Sequence, residues 1–154
     1  MDSVRHTVYF VSCVSKKGEH ACEARDLYVS DLFRKARRFV EASGCPWFIL
    51  SAEHGLVAPC QNIGPYERTL NKMGIADRRQ WADRVAAQLA NEAPDLRCAV
   101  FLAGERYREF LIPHLKDRGV GVSIPMQGLP IGKQLRWLGQ HSPDCICPST
   151  LSTP

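Results

Sequence analysis

The sequence has no long hydrophobic run and no recognisable export signal. Its longest apolar stretches, such as Cys98–Ala103, are far shorter than the roughly 18 residues that a membrane-spanning helix needs. The residues after Met1 contain no basic segment followed by an apolar run and a cleavage site, so we expect no secretory leader. Both absences favour a protein that stays in the cytoplasm.

Cysteine pairs spaced as in zinc-binding arrays are also missing. The chain has seven cysteines, an odd number that cannot pair completely, and a disulfide framework is uncommon in the cytoplasm. The closest approaches to metal-ligand spacing are His20-x-Cys22 and Cys145-x-Cys147, and neither belongs to a longer array. We therefore predict reduced thiols, no metal site and no cofactor.

What is present is the composition of an ordinary globular domain. A chain of 154 residues with 45% hydrophobic and 23% charged residues can bury a core without disulfides or metals. We predict one α/β domain over residues 1–140 and a flexible tail over residues 141–154, where Pro, Ser and Thr are frequent. The formal net charge of +4 is compatible with a nucleic acid or nucleotide partner.

Apolar, β-branched segments alternate along the chain with segments of helical periodicity. We predict four strands, at 7–13, 47–51, 97–103 and 121–125. We predict four helices, at 26–42, after a cap at Asp77, at 105–118 with a kink or split at Pro113, and from Pro130 onward. Continuously apolar strands that alternate with helices indicate a mostly parallel four-stranded sheet in a three-layer α/β/α sandwich. The strand order stays open at this stage.

Polar residues and glycines follow the predicted strands. Ligands of open parallel sheets bind beyond the carboxyl ends of the strands, so these positions are the first candidates for a site. Gly104 follows the third strand, and Tyr66 lies in the long loop that begins after the second. The residues that we predict to bind substrate are Ser12, Cys13, Lys16, Ser51, Gly55, Tyr66 and Gly104.

The sharpest chemical signal is a carboxylate beside an imidazole. Glu53 and His54 directly follow the second strand, where they can act as an acid–base pair; His54 also has a purely structural interpretation. Farther along the same loop, Pro65 sets a turn that presents Tyr66 and Glu67. Loops this long are usually functional. Tyr66 either stacks on a base or anchors the loop to the core.

Basic residues offer two kinds of phosphate contact. Lys16 and Lys17 follow the first strand, where they can hold phosphate as point charges, or one of them can act as an amine nucleophile. The spacing of a P-loop is absent. The basic residues of the helices form either a solvated face or a track for a phosphate backbone, and those that we predict to contact a backbone are Arg34, Arg37, Arg38 and Lys133.

Several motifs in order resemble a widespread family of small bacterial and phage proteins of unknown function, over Tyr9 to Leu138. The motifs are Ser12-Cys13-x-x-Lys16-Lys17, Ala24-Arg25-Asp26-Leu27-Tyr28-x-Ser30-x-x-Phe33, Phe48-Ile49-Leu50-Ser51-Ala52-x-His54-Gly55-Leu56, Pro65-Tyr66-Glu67-x-x-Leu70 and Gly128-Leu129-x-Ile131-Gly132-Lys133-Gln134-Leu135-x-Trp137-Leu138.

The same pattern is distantly similar to the uracil-DNA-glycosylase-like domain of archaeosine synthase. That domain has a Cys-x3-Lys element after its first strand and a Ser-Pro-x-Gly-like turn after its second. Cys13 and Lys17 take the first positions here, and residues 51–55 take the second. The resemblance implies a glycosylase-like fold and chemistry directed at a base. Lys17 is not followed by Pro-Tyr, and the Gly-Gln-Asp-Pro-Tyr signature of glycosylases is absent.

Our leading hypothesis is a nucleic-acid base-processing enzyme that hydrolyses the N-glycosidic bond of a modified base in DNA. Glu67 or Glu53 would orient water, and His54 would hydrogen-bond the leaving base. Lys17 would hold phosphate or attack as an amine, and Tyr66 would stack on the base. The alternatives are a non-catalytic nucleic-acid-binding module and a hydrolase or transferase of free nucleotides.

Overall fold

The four predicted strands and the helical segments between them occur in the predicted order, with three further short strands. The computed structural model describes residues 6–12 and 17–141, so Cys13, Lys16 and the predicted tail beyond residue 141 lie outside the described residues. The strands are β1 (Thr7–Ser12), β2 (Cys22–Glu23), β3 (Trp47–Ser51), β4 (Gly55–Val57), β5 (Asn62–Ile63), β6 (Cys98–Leu102) and β7 (Gly121–Ser123). The helices are α1 (Ala24–Leu27), α2 (Asp31–Ser43), α3 (Ile75–Glu92), α4 (Glu105–Arg108), α5 (Leu111–Asp117) and α6 (Ile131–Gln140), with a short 3-10 helix at Leu70–Lys72.

The central sheet has five strands in the order β4-β3-β1-β6-β7. The four predicted strands correspond to β1, β3, β6 and β7, and their neighbouring pairs are all parallel. The predicted count of four is wrong because β4 turns back beside β3 and adds an antiparallel edge strand. β2 and β5 form a separate two-stranded antiparallel sheet. The long loop that we predicted after the second strand therefore contains two short strands, β4 and β5.

Alternate residues of the strands face two separate cores. Tyr9 and Val11 of β1 point into one cluster, which includes buried residues of α2 and α6. Val8 and Phe10 point into the other, which includes buried residues of α3, α4 and α5. Because strand side chains alternate between faces, the helices cover both faces of the sheet. This is the mixed α/β architecture that the sequence predicts.

The predicted helix at 26–42 is two helices. α1 ends at Leu27, Tyr28 has extended backbone angles, and α2 starts at Asp31. The break occurs because the Ser30 hydroxyl accepts a hydrogen bond from the backbone N–H of Phe33, at 3.2 Å, which caps a new helix. The end of α2 is confirmed: Gly44 adopts a left-handed conformation with φ of 73°.

The predicted split of the helix at 105–118 is confirmed. α4 ends at Arg108 and α5 begins at Leu111, so the break lies before Pro113, which occupies the first turn of α5, where its missing N–H costs no helical bond. Two other helix boundaries differ from the predictions. Asp77 is not a cap, because α3 begins at Ile75 after Gly74. Pro130 precedes α6 by one residue instead of beginning it.

We expect Ser30→Ala to lower the free energy of unfolding by about 1 kcal/mol, because α2 loses its side-chain cap. Chemical denaturation with an unchanged denaturant slope measures the loss. Ser30→Asn supplies another capping oxygen and is expected to recover most of the stability. Equal destabilisation by both substitutions would contradict a capping role for the hydroxyl.

Candidate functional site

β1 and β6 are neighbouring parallel strands whose following helices lie on opposite faces of the sheet. α2, which comes after β1 in the chain, packs on one face, and α4 and α5, which come after β6, pack on the other. Neighbouring strands whose connections separate in this way mark the usual ligand site of an open α/β sheet. A cavity of about 700 Å³, the switch-point cavity, lies at this position; its lining includes Ser12, Ser30, Asp31, Phe33, Asn71, Phe101, Leu102, Glu105, Tyr107, Met126, Gln127, Leu129 and Gln134.

Two residues predicted from the sequence meet in the wall of this cavity. The backbone N–H of Gly104 donates a hydrogen bond to the Ser12 hydroxyl at 3.2 Å. This bond joins the end of β1 to the segment that follows β6, and both residues line the switch-point cavity. Both residues therefore lie at the cavity, and their contact with substrate stays a prediction.

The switch-point cavity also has two carboxylates that the sequence analysis did not select. Asp31 and Glu105 are the first residues of α2 and α4, and both line the cavity. Within residues 6–12 and 17–141, neither side chain has an ion pair or hydrogen bond. The N-terminus of α2 stabilises the negative charge of Asp31. The only sequence signal for Asp31 is its position after the capping residue Ser30.

A second cavity of about 600 Å³ borders α3, and we name it the α3 cavity. Glu67, one of the predicted catalytic residues, lines this cavity and not the switch-point cavity. The 3-10 helix at Leu70–Lys72 separates the two: Asn71 lines the switch-point cavity, and Lys72 lines the α3 cavity. The full lining of the α3 cavity is Ala52, Glu67, Arg68, Thr69, Lys72, Met73, Asp77, Gln80, Trp81 and Arg84.

Two buried aromatic residues form the partition between the cavities. Tyr107 lines the switch-point cavity, and Trp81 lines the α3 cavity. Their rings meet edge to face with centroids 5.7 Å apart. The Tyr107 hydroxyl also accepts from the backbone N–H of Leu70 at 3.4 Å. The partition is therefore attached to the helix that carries Glu105.

Two other predicted residues, Lys17 and His54, meet at Tyr66. Its hydroxyl is 2.6 Å from the hydroxyl of Tyr28, which is only 2% exposed. The Lys17 Nζ atom is 4.4 Å from the centroid of the Tyr66 ring, and the His54 ring meets the same ring edge-on at 5.6 Å. Tyr66 is thus anchored to the core. The negative face of an aromatic ring attracts an ammonium group, and the two roles predicted for Lys17 both stay predictions.

The turn after β3 depends on internal hydrogen bonds. The buried Ser51 hydroxyl accepts from the backbone N–H of His54 at 3.0 Å, and the Ser51 carbonyl accepts from Trp81 Nε1 at 2.8 Å. Gly55 is buried with φ of 76°. Glu53 has its carboxylate 3.5 Å from Arg68. Ser51 and Gly55 line neither cavity, so their contact with substrate stays a prediction.

Arg37 is engaged inside the protein, unlike the other predicted backbone-binding residues. Its guanidinium donates to Asp26 at 2.7 Å, to Glu41 at 3.1 Å and to the carbonyl of Arg25 at 2.9 Å. Burial is the largest single influence on the pKa of Arg37 and lowers it, but the hydrogen bonds to Asp26 and Glu41 and the negative charges of these two residues together raise the pKa above its usual value. Arg37 therefore connects α1 to α2. Exposed positions are taken by Arg34, Arg38 and Lys133.

We expect Arg37→Gln to lower the free energy of unfolding by about 1 kcal/mol, because two partly exposed ion pairs and one backbone hydrogen bond are lost. Thermal or chemical unfolding measures this change. Arg34→Gln is the control on the same helix, and it is expected to leave stability within about 0.5 kcal/mol. If the two substitutions are equally mild, Arg37 does not connect the helices.

A family model for a family of unknown function, DUF6884, matches residues 8–140. The chain belongs to this family. The DUF6884 match spans both cavities and the residues around Tyr66. The search of curated proteins finds no match.

Two kinds of site find no support in the described part of this DUF6884 chain. Over residues 6–12 and 17–141, no group of three His, Cys, Asp or Glu side chains is placed to hold a metal ion. Over the same residues, no helix combines the length and the apolar character that crossing a membrane requires. The chemistry of the described site therefore has to be argued from its carboxylates, amides and hydroxyls and from the Arg108 guanidinium, which also lines the switch-point cavity and donates to the carbonyl of Ala103 at 2.9 Å.

Proposed function

We propose that this DUF6884 protein is a base-processing enzyme that hydrolyses the N-glycosidic bond of a modified base in DNA. The active site is the switch-point cavity. One observation carries the proposal: Asp31 and Glu105 line a cavity at the carboxyl ends of β1 and β6 that is otherwise largely apolar. The proposal moves the catalytic roles away from Glu67 and His54, which do not line this cavity.

The lining of the switch-point cavity is suited to a nucleic-acid base that has been flipped out of the base stack. Enzymes that act on a base in DNA extrude it into a pocket, hold its faces with apolar side chains and hydrogen-bond its edge. Phe101, Leu102 and Met126 supply apolar surface in this cavity, and Asn71 and Gln127 supply amides. Amides pair with the donors and acceptors of base edges.

The carboxylates suit hydrolysis at the sugar carbon C1′. Asp31 orients a water molecule and accepts its proton while the new C1′–O bond forms. The C1′–N bond breaks, and the base leaves with the bonding electrons and takes up a proton from solvent. The positive charge that develops on the sugar is balanced by Glu105, because a nearby carboxylate stabilises an oxocarbenium-like transition state.

Two further observations support this assignment. The formal net charge of +4 favours a polyanionic partner. The motif order from Ser12 to Leu138 resembles the glycosylase-like domain of archaeosine synthase. A phosphate-binding surface next to the cavity would complete the recognition of DNA.

Base release from defined oligonucleotides tests the proposal. Single-stranded and duplex oligonucleotides, each with one deaminated, alkylated or deaza-modified base, are incubated with the protein. Alkaline cleavage detects abasic sites, and mass spectrometry detects the free base. We expect release of at least one class of base. Binding without release would replace the proposal with a non-catalytic binding module, and turnover of free nucleotides alone would replace it with a nucleotide hydrolase or transferase.

A further inference from the structure

The α3 cavity concentrates cationic side chains that are weakly engaged within the protein. Arg68 approaches Glu53 at a long 3.5 Å. Arg84 donates to the Glu53 carbonyl at 3.3 Å. Lys72 has no ion pair or side-chain hydrogen bond to any described residue. All three side chains line the cavity, so an incoming anion would compete with few internal contacts.

Two other arginines of the chain make several short hydrogen bonds within the protein and serve as a comparison. Arg78, which also lies on α3, is 6% exposed and donates to Glu109 at 3.0 Å and to the carbonyl of Met73 at 2.6 Å. Arg37 makes three short contacts. Compared with these two, Arg68 and Arg84 keep most of their donors available.

The α3 cavity has a firm floor beneath these cations. Trp81 is buried, and its ring nitrogen donates to the Ser51 carbonyl at 2.8 Å, so the indole position is fixed. Ala52 is buried beside it. Asp77, Trp81 and Arg84 fall on one face of α3, since residues three and four apart on a helix are neighbours. The cavity is therefore a shaped recess and not a set of isolated surface charges.

We propose that the α3 cavity is a phosphate subsite that binds the backbone of a nucleic-acid strand whose target base occupies the switch-point cavity. The inference rests on the proposed function for the position of the base. The 3-10 helix at Leu70–Lys72 lies between the two cavities, and its Asn71 and Lys72 line opposite ones. The substrate is therefore a polynucleotide strand, not a free base or nucleoside.

Glu67 and Asp77 also line the α3 cavity. The proposal predicts opposite changes in affinity when a negative and when a positive charge of the lining is removed. Both carboxylates are exposed, and they offset two of the three cationic charges, which leaves a formal lining charge of +1. In a phosphate subsite these carboxylates repel the ligand. Removing the charge of Glu67 is therefore expected to tighten binding, whereas removing the charge of Lys72 or Arg84 is expected to weaken it.

Fluorescence anisotropy with a labelled single-stranded oligonucleotide, repeated over a series of salt concentrations, tests the subsite. Lys72→Gln and Arg84→Gln are each expected to weaken binding several-fold and to lower the slope of log K against log salt by about 1. Glu67→Gln is expected to strengthen binding about three-fold by the same electrostatic argument. Lys116→Gln, at an exposed position near the end of α5, is the matched control and is expected to change neither quantity.

Base release from the same oligonucleotides separates this inference from the proposed function. If Lys72→Gln and Arg84→Gln leave affinity and salt slope unchanged while base release persists, the phosphate subsite is wrong and the reaction stands. If base release is absent but both variants lower the salt slope, the reaction is wrong and the subsite stands. Binding of a mononucleotide that depends on Lys72, without oligonucleotide binding, would overturn the polynucleotide as ligand.

Discussion

Asp31→Asn is expected to reduce base release by about 100-fold or more, the typical contribution of a positioned acid–base group. The amide keeps the size and hydrogen-bonding shape of the carboxylate, but it cannot accept the proton of the attacking water or balance positive charge on the sugar. Oligonucleotide affinity is expected to change little, because the lost interaction acts mainly in the transition state. Single-turnover kinetics of base release measures the effect as a fall in the rate constant.

The control for this experiment is Asp117→Asn. Asp117 is an exposed residue at the end of α5 that lines neither cavity, and its substitution removes the same charge. We expect full base release from this variant. If Asp31→Asn retains more than about a third of the wild-type rate, Asp31 is not the base, and the role of orienting and deprotonating the water has to be assigned to another residue.

Gly55→Ala is expected to lower the free energy of unfolding by about 2–3 kcal/mol, because a side chain at positive φ costs about 1–2 kcal/mol and a hydrogen bond about 1 kcal/mol. Gly55 has φ of 76°, and an added Cβ would lie 2.3 Å from Gln88 Oε1. That oxygen accepts from the backbone N–H of Leu56 at 2.9 Å, so the Gln88 side chain has to move and release this bond. Chemical denaturation measures the loss.

Gly64→Ala is the matched control, since Gly64 lies in the same long loop with no positive φ and no atom within 4 Å of an added Cβ. We expect its stability to stay within about 0.5 kcal/mol of the wild type. The experiment also separates two roles of Gly55. A stable Gly55→Ala variant that binds substrate poorly would return Gly55 to the substrate-binding residues predicted from the sequence.

Local patterns in the sequence were sufficient to predict most of the fold. β3 matches its predicted bounds, because the run Trp47–Ser51 is continuously apolar and ends before a turn. β4 was missed because its three residues begin with a glycine at positive φ, and so short a segment has no periodicity to detect. The break at Tyr28 was missed because Ser30 lies inside a stretch with uninterrupted helical spacing.

The candidate site was predictable only as an edge of the sheet. Ser12 ends β1 and Gly104 lies two residues after β6, so the parallel-sheet rule selects both, and both line the switch-point cavity. Asp31 escaped notice because it was assigned to the middle of a helix, whereas it begins α2. Which cavity receives Glu67 depends on the path of the loop before α3, and the partners of Arg37 depend on how α1 packs on α2. Neither relation is local in sequence.

The partition between the cavities links their energetics. Tyr107 contacts Trp81 on one side and the backbone N–H of Leu70 on the other, and its helix begins with Glu105. A group bound near Glu105 that shifts Tyr107 also shifts the floor of the α3 cavity. The change in affinity that occupation of one cavity produces in the other must then be reciprocal. Recognition of the backbone would in this way contribute to selectivity for the base.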